Sequence, residues 1–509
     1  MTDLPPVTLR LHPGDGVVIA RATLLPGTPV EPGVVTRGRV PAGHKVATRA
    51  YAVGEPVLRY GQIIGFATQP IEAGEHIHVH NLGMGDFDKD YAWGVDAKPT
   101  VLADPAATWQ GIRRADGRFA TRNYIGILTS VNCSAHVASV VADAFRRNPA
   151  TGYDPLAEYP NVDGVVALTH KTGCGMTAGE PLTLLRRTLG GYARHVNFHS
   201  VIVLGLGCEV NQLGGLLEEQ RLAGRLRAMD IQEMGGSRKT TAAAIDFVRE
   251  HLAEAQAVVR ETAPVSALTV ALQCGGSDGY SGITANPALG VASDLVVANG
   301  GAVILSETPE TYGAEHLLTR RAVSREVGEK LVALMRWWDA YCAREGAEMN
   351  ANPSPGNKAG GLTTILEKSL GAMAKCGSTN LVDVVRYAEP VTARGFVFMD
   401  TPGYDPVAAT GQVAGGANLV CFTTGRGSVF GCKPAPSIKL ATNTPMFRRM
   451  EEDMDINCGT VVDGDETVQA CGARIFGHIL ATASGERTKS ELFDFGAAEF
   501  APWQLGATM

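Results

Sequence analysis

From Arg113 onward, short apolar runs alternate with longer amphipathic stretches, and no other feature narrows the possible folds so far. Such alternation encodes βα units around mainly parallel sheets, because the strands are buried on both faces and the helices on one. The runs at 124–131, 165–168, 201–204, 268–272, 302–305, 396–399 and 419–422 read as strands. Val323, Val327, Leu331, Leu334, Trp338 and Tyr341 recur at spacings of three and four and mark a helix. A break at ETAPVS, residues 261–266, divides the region into a middle α/β domain, 113–262, and a C-terminal α/β domain, 263–509.

The preceding segment has a different texture. VTLRLH, GVVIARATL, HKVATRA, PVLRY, IIGFAT and HIHVHN are short β runs broken by PGDG, PAGH, GEP and EAGE, so residues 1–80 read as a small all-β domain. It carries His44, His76, His78 and His80. The last three alternate with Ile77 and Val79, which in a strand would set all three imidazoles on one face. Residues 81–112 lack periodicity and read as a linker.

A chain of 509 residues has room for two or three domains, and 45% hydrophobic with 19% charged residues excludes disorder and coiled coil. With a formal net charge of -7 and no basic block, nucleic acid is excluded as a partner. No apolar stretch reaches the length of a membrane span and the N-terminus lacks a secretory pattern, so a cytoplasmic protein without a membrane partner is expected, with a homo-oligomer left open.

Ten cysteines are too few for a disulfide scaffold. Four of them, Cys133, Cys174, Cys208 and Cys274, each close an apolar strand and enter a Gly- or Ser-containing turn. Carboxyl ends of parallel strands line the ligand crevice of open sheets, so these thiols are expected to converge on one rim or two facing rims. Taken singly, each suits a tight turn as a small buried residue. Together they suit iron, zinc or an iron–sulfur cluster, and the absence of C-x-x-C pairs disfavours a zinc ribbon.

Polar groups accompany these turns. His170 precedes Cys174, Glu209 follows Cys208, and Asp278 closes CGGSD ahead of Ser281, Thr284 and Asn286 in GYSGITANP. Lys358 in NPSPGNKAGG, Arg426 in FTTGRGS and Lys439 in SIKLATNT are cations suited to clamp a carboxylate. GLGCE lacks the third glycine of a dinucleotide fingerprint, which leaves a nicotinamide-linked dehydrogenase as a weak alternative.

Taken in order, GHKVA, YGQIIGFA, GEHIHVHN, NYIGILTSVNC, HKTGCG, VLGLGCE, QCGGSDGYSGITANP, ETPETYGAEHLL, NPSPGNKAGG, EKSLG, FTTGRGS and MDINCGT resemble the altronate and galactarate dehydratase family over nearly the whole chain. The resemblance includes an N-terminal SAF domain, a β-clip module, and lies nearer the altronate type in the His-rich run and in NPSPGNKAGGLTT. It implies a hydro-lyase that removes water from a sugar acid to give a 2-keto-3-deoxy acid, D-altronate giving 2-keto-3-deoxy-D-gluconate. Galactarate is the alternative substrate. A sulfolactate-type lyase and a non-catalytic sugar-acid binding protein are remoter.

Such a reaction takes a proton α to a carboxylate, which a divalent metal eases by neutralising the second negative charge. The resemblance implies Fe²⁺, or Mn²⁺, and His44, His76 and His78 are the expected ligands, with His80 as a further candidate. Acid/base candidates are His170, Asp278, Lys358 and Asp455. The substrate carboxylate is expected at Arg113, Arg122, Arg426 or Lys439, with Ser281, Thr284 and Asn286 lining the loop. The alternative cofactor is an iron–sulfur cluster on three of Cys133, Cys174, Cys208 and Cys274.

Overall fold

The computed structural model describes residues 6–148, 150–222, 224 and 226–509. The small N-terminal domain is built from short antiparallel strands. One sheet joins Thr8–Leu9, Val17–Ala20, Lys45–Ala47 and His76–Ile77, and another joins Pro56–Arg59, Gln62–Ala67 and Leu82–Gly83. Val17, Val57, Ile64, Ile71 and Ile77 fill the space between them.

The His-rich run is not the alternating strand expected from its sequence. It pairs only through Ile77, with Val46 opposite His76, and then turns. The His78 N–H donates to Asn81 Oδ1 at 2.9 Å and the Asn81 N–H donates to the His78 carbonyl at 3.0 Å. This local turn outcompetes a longer β ladder, as Asn side chains often do.

The expected linker ends in a strand. Thr108–Arg113 runs antiparallel to Arg260–Pro264, with Gly111 opposite Glu261. The chain therefore enters and leaves the middle domain through two paired strands. Between them, β1 (Tyr124–Thr129), β2 (Gly164–Leu168), β3 (Phe198–Gly205) and β4 (Arg227–Asp230) form a parallel sheet in the order β2-β1-β3-β4.

The C-terminal domain is a seven-stranded parallel sheet. Its members are β5 (Thr269–Cys274), β6 (Ala302–Leu305), β7 (Leu381–Val385), β8 (Gly395–Met399), β9 (Leu419–Thr424), β10 (Ser437–Ala441) and β11 (Ile456–Asn457), in the order β7-β8-β6-β5-β9-β10-β11. Every residue of β5 is buried because helices cover both faces, which accounts for the unbroken run TVALQC. The expected helix spans Arg325–Arg344, capped by the Ser324 hydroxyl, and buries Val327, Leu331, Met335 and Trp338; Val323 lies outside it.

Helix α1 (Ile365–Met373) joins the small domain to this sheet. Lys45 and Arg59 from the small domain both reach Glu367 in its first turn, Lys45 at 2.9 Å, and all three side chains are buried. Lys45 also donates to the Gly361 carbonyl at 2.7 Å and Arg59 to that of Gly279 at 2.6 Å. Backbone meets backbone here: a Cβ on Gly279 would lie 2.1 Å from the Gly43 carbonyl oxygen, so only glycine permits the approach. Burial alone would raise the Glu367 carboxyl, but Lys45 and Arg59 outweigh it and hold it at about 2. No helix among the described residues is long and apolar enough to cross a membrane.

Candidate active site

At this domain junction the structure brings His44, His76 and His78 together, each offering a nitrogen within 4.8 Å of the others. His44 Nδ1 lies 2.9 Å from His76 Nε2, and the His76 and His78 rings stack at 5.4 Å. Two nitrogens about 2.1 Å from one ion at a right angle lie about 3 Å apart, so the His44–His76 spacing suits adjacent ligands of one metal. His78 Nδ1 is buried with no hydrogen-bond partner, the state of a nitrogen reserved for a ligand. Burial, with the neighbouring imidazoles and Lys45, drives His76 down to about 3, and burial with Lys45 drives His78 to about 4, so both present neutral lone pairs near pH 7. His80 is exposed at the rim of the cluster, 5.7 Å from the His76 ring.

The His44 ring packs on the end of the short helix Pro355–Ala359, which precedes α1, with Nε2 3.3 Å from the Ala359 carbonyl oxygen. The side chain of Lys358, the residue before it, is half-buried and makes no ion pair or hydrogen bond among the described residues. Asp278 lies against the same helix end, where a Cβ on Gly360 would come 2.9 Å from its own. Arg426, exposed after β9, lines the turn that leaves β5.

A second constellation occupies the carboxyl edge of the sheet. Lys375 Nζ lies 2.8 Å from Cys274 Sγ and 3.5 Å from Glu307, and Lys368 bonds Glu310 at 2.8 Å and Asn352 at 2.7 Å. Cys274, Glu307 and Glu310 are close enough to ligate an ion, yet the Lys375 ammonium already supplies the cation they need. Burial pushes the Cys274 thiol well above its usual range, and Lys375 remains protonated because Cys274, Glu307 and Glu310 outweigh its desolvation. Glu307 stands in a left-handed backbone conformation (φ 67°) with Oε1 buried and unpartnered. Burial and the adjacent Glu310 raise it to about 8. Asp405, half-buried beside Gly275, is raised to about 6 by burial and Glu310. One group thus keeps its proton near pH 7 while the other has lost it.

Several expected site residues serve the scaffold instead. His170 is buried in the middle domain, with Nε2 on the Thr129 carbonyl and Nδ1 accepting from the Thr172 N–H, so neither nitrogen is free for proton transfer. Both oxygens of Asp455 accept backbone N–H groups, from Lys439 and Lys489. Asp278 accepts from Ser281, Thr442, Asn443 and Tyr280, which fixes its loop and leaves no open face for a base. Arg122 is buried in a bidentate pair with Glu491, whereas Arg113 is exposed beside Glu261 on the pairing strand. Thr284 bonds the Thr442 carbonyl, and Asn286 links Gly371 to Thr423. Lys439 is buried with Nζ unpartnered and facing the Phe495 ring.

The four strand-end cysteines do not converge. Cys274 is buried in the C-terminal sheet beneath Lys375, while Cys133, Cys174 and Cys208 are exposed on the middle-domain sheet. Glu307, Glu310, Lys368, Lys375 and Asp405 were not among the expected residues. Glu307 and Glu310 had a signal, since SETPE follows β6 as the cysteines follow their strands. Lys375 had none, because it meets Cys274 across 101 positions.

Three successive family domains match this chain: the altronate/galactarate dehydratase SAF domain over residues 6–85, the D-galactarate dehydratase/altronate hydrolase second domain over 111–256, and the D-galactarate/altronate dehydratase C-terminal domain over 265–508. Galactarate dehydratase (L-threo-forming) of Escherichia coli is 38% identical over 492 residues, covering 94% of this chain and 93% of that one. Altronate dehydratases of Bacillus subtilis and Escherichia coli are 33% and 36% identical over 505 and 516 residues, each covering 98% of this chain and 99% of the relative.

Proposed function

The chain belongs to the galactarate/altronate dehydratase family and is a sugar-acid hydro-lyase, and from that premise we propose that it converts D-altronate to a 2-keto-3-deoxy acid at the junction of its small and C-terminal domains. The observation that carries the placement is the histidine cluster with its orphaned His78 nitrogen. His44, His76 and His78 would hold Fe²⁺, or Mn²⁺, which supplies Lewis-acid neutralisation of the charge that develops on the substrate carboxylate.

The protein's own groups carry the rest. Lys358, in the last turn of the short helix Pro355–Ala359, and Arg426, in the turn after β9, attract and orient the anionic substrate. Asp405, ionised above about 6, accepts the proton α to the carboxylate. Glu307, protonated up to about 8, donates at Oε1 to the departing 3-hydroxyl. Environments that separate two carboxyl groups in this way assign one as base and the other as acid. The Lys375–Cys274 pair behind Glu307 fixes its position and keeps water out. The site would act in the cytoplasm.

Galactarate is the second reading, favoured by the 38% identical relative, and its extra carboxylate requires both Lys358 and Arg426. The test supplies D-altronate and galactarate separately with Fe²⁺ or Mn²⁺ under anaerobic conditions and follows 2-keto-3-deoxy acid. Product from altronate, lost in His76→Ala, supports the assignment; product from galactarate alone moves it to the second reading.

A further inference from the structure

We propose that Cys133, Cys174 and Cys208 hold an iron–sulfur cluster at the carboxyl edge of the middle-domain sheet, at a site separate from the histidine metal and resting on none of its assumptions. The three thiols follow β1, β2 and β3, which lie side by side and parallel in the order β2-β1-β3. Their loops are tied to one another. The Asn132 N–H donates to the Thr172 carbonyl at 3.0 Å, setting the turn of Cys133 against that of Cys174. The Asn211 N–H donates to the Gly173 carbonyl at 3.0 Å, and its side chain donates to the Ser130 carbonyl at 3.0 Å, drawing in the turn of Cys208.

Cys133 stands in the single 3-10 turn Asn132–Ser134, and glycines shape the turns of Cys174 and Cys208. Cys174 stands between Gly173 (φ 103°) and Gly175 (φ 62°), and a Cβ on Gly173 would fall 2.3 Å from the Ser130 carbonyl oxygen, so the loop is pressed onto the end of β1. The buried Glu209 carboxylate fixes the third turn by accepting from the Ser130 hydroxyl and the Gly207 N–H, each at 2.6 Å. Gln232 Nε2 lies 3.6 Å from Cys208 Sγ, placed to donate to a ligated sulfur.

Exposure gives the trio its meaning. Of the ten cysteines, these three alone are exposed, while six are buried and Cys342 is half-buried. Exposed thiols are a reactive liability unless they are used. Their sulfurs do not fall within 4.8 Å of one another, as ligands closing on a single ion do; a cluster accepts a wider triangle because each thiolate binds a different iron. Three thiolates serve three irons of a four-iron cluster and leave the fourth for an oxygen ligand from a small anion. Assembly from two ferric ions, two ferrous ions and four sulfides releases the three thiol protons and needs no further oxidant or reductant.

The test uses the full chain, purified anaerobically and supplied with ferric iron, ferrous iron and sulfide in that ratio. Iron, acid-labile sulfide and the visible absorption spectrum are then measured. Expected is about four sulfides per chain with broad sulfide-to-iron absorption, falling to none in the Cys133→Ser/Cys174→Ser/Cys208→Ser variant and unchanged in Cys342→Ser. A His76→Ala variant keeps its sulfide, which separates this site from the histidine metal. Circular dichroism confirms that the variants fold. Absence of bound sulfide in the intact chain, or its full retention in the triple variant, overturns the proposal.

Discussion

Two parallel sheets in this chain end their strands in cysteine, and they treat the thiol in opposite ways. On the middle-domain sheet, Cys133, Cys174 and Cys208 are exposed, the last two in turns shaped by glycines with positive φ. On the C-terminal sheet, Cys274 is buried beneath Lys375 among Glu307 and Glu310. The same strand-end position therefore leaves the thiols open to a ligand in one sheet and sets the thiol within a charge cluster in the other. What differs lies beyond the strand: an ammonium brought in by a distant helix end against a free face bounded by loops.

The largest expected contrast is in thiol labelling. In metal-free protein, iodoacetamide should alkylate Cys133, Cys174 and Cys208 roughly 10³-fold or more faster than Cys274, which must await an opening of the fold. Peptide mapping by mass spectrometry reads this, and comparable rates would erase the distinction between the two edges. Next in size is Lys375→Met, which removes the buried ammonium beside Cys274 and Glu307 and should cost about 3–5 kcal/mol in urea unfolding. A loss below about 1 kcal/mol would mean that Lys375 is not their counter-charge.

Proton balance sharpens the contrast further. Activity should rise as Asp405 ionises near 6 and fall as Glu307 loses its proton near 8, giving a bell-shaped profile. Glu307→Gln should reduce turnover by about 10²–10⁴-fold. Stability carries the same sign. Glu307 is raised in the folded state, so the fold holds a proton that the unfolded chain has released between about 4.5 and 8, and stability falls as pH rises across that window. Glu307→Gln should therefore gain on the parent protein up to about pH 8 and keep a constant difference above it. A difference independent of pH would place the titration elsewhere. The smallest effect belongs to the exposed edge: Cys133→Ser should change the stability of the metal-free protein by less than about 0.5 kcal/mol.

Much of this architecture was written in local pattern. Apolar runs such as VIVLGLG and TVALQC announced buried parallel strands, and the broken β runs announced the small domain. His44, His76 and His78 were also legible as a set, though for an incomplete reason. They meet because His44 enters from a Gly-flanked turn and the run HIHVHN folds back after Ile77, where strand alternation had implied a flat face. His170, Asp278 and Asp455 misled because a polar residue at a strand end looks the same whether it meets substrate or ties down a loop. Glu367 lies 322 positions from Lys45 and 308 from Arg59, and their pairing exists only once the domains dock.

Dehydration at the histidine junction is the central proposal. Its most direct measurement supplies D-altronate and Fe²⁺ anaerobically to the intact chain and to His76→Ala, and assays 2-keto-3-deoxy acid alongside bound iron. Product from the intact chain, with loss of both product and one iron in the variant, is the predicted result. Undiminished turnover in a His76→Ala protein that no longer binds that iron would contradict it.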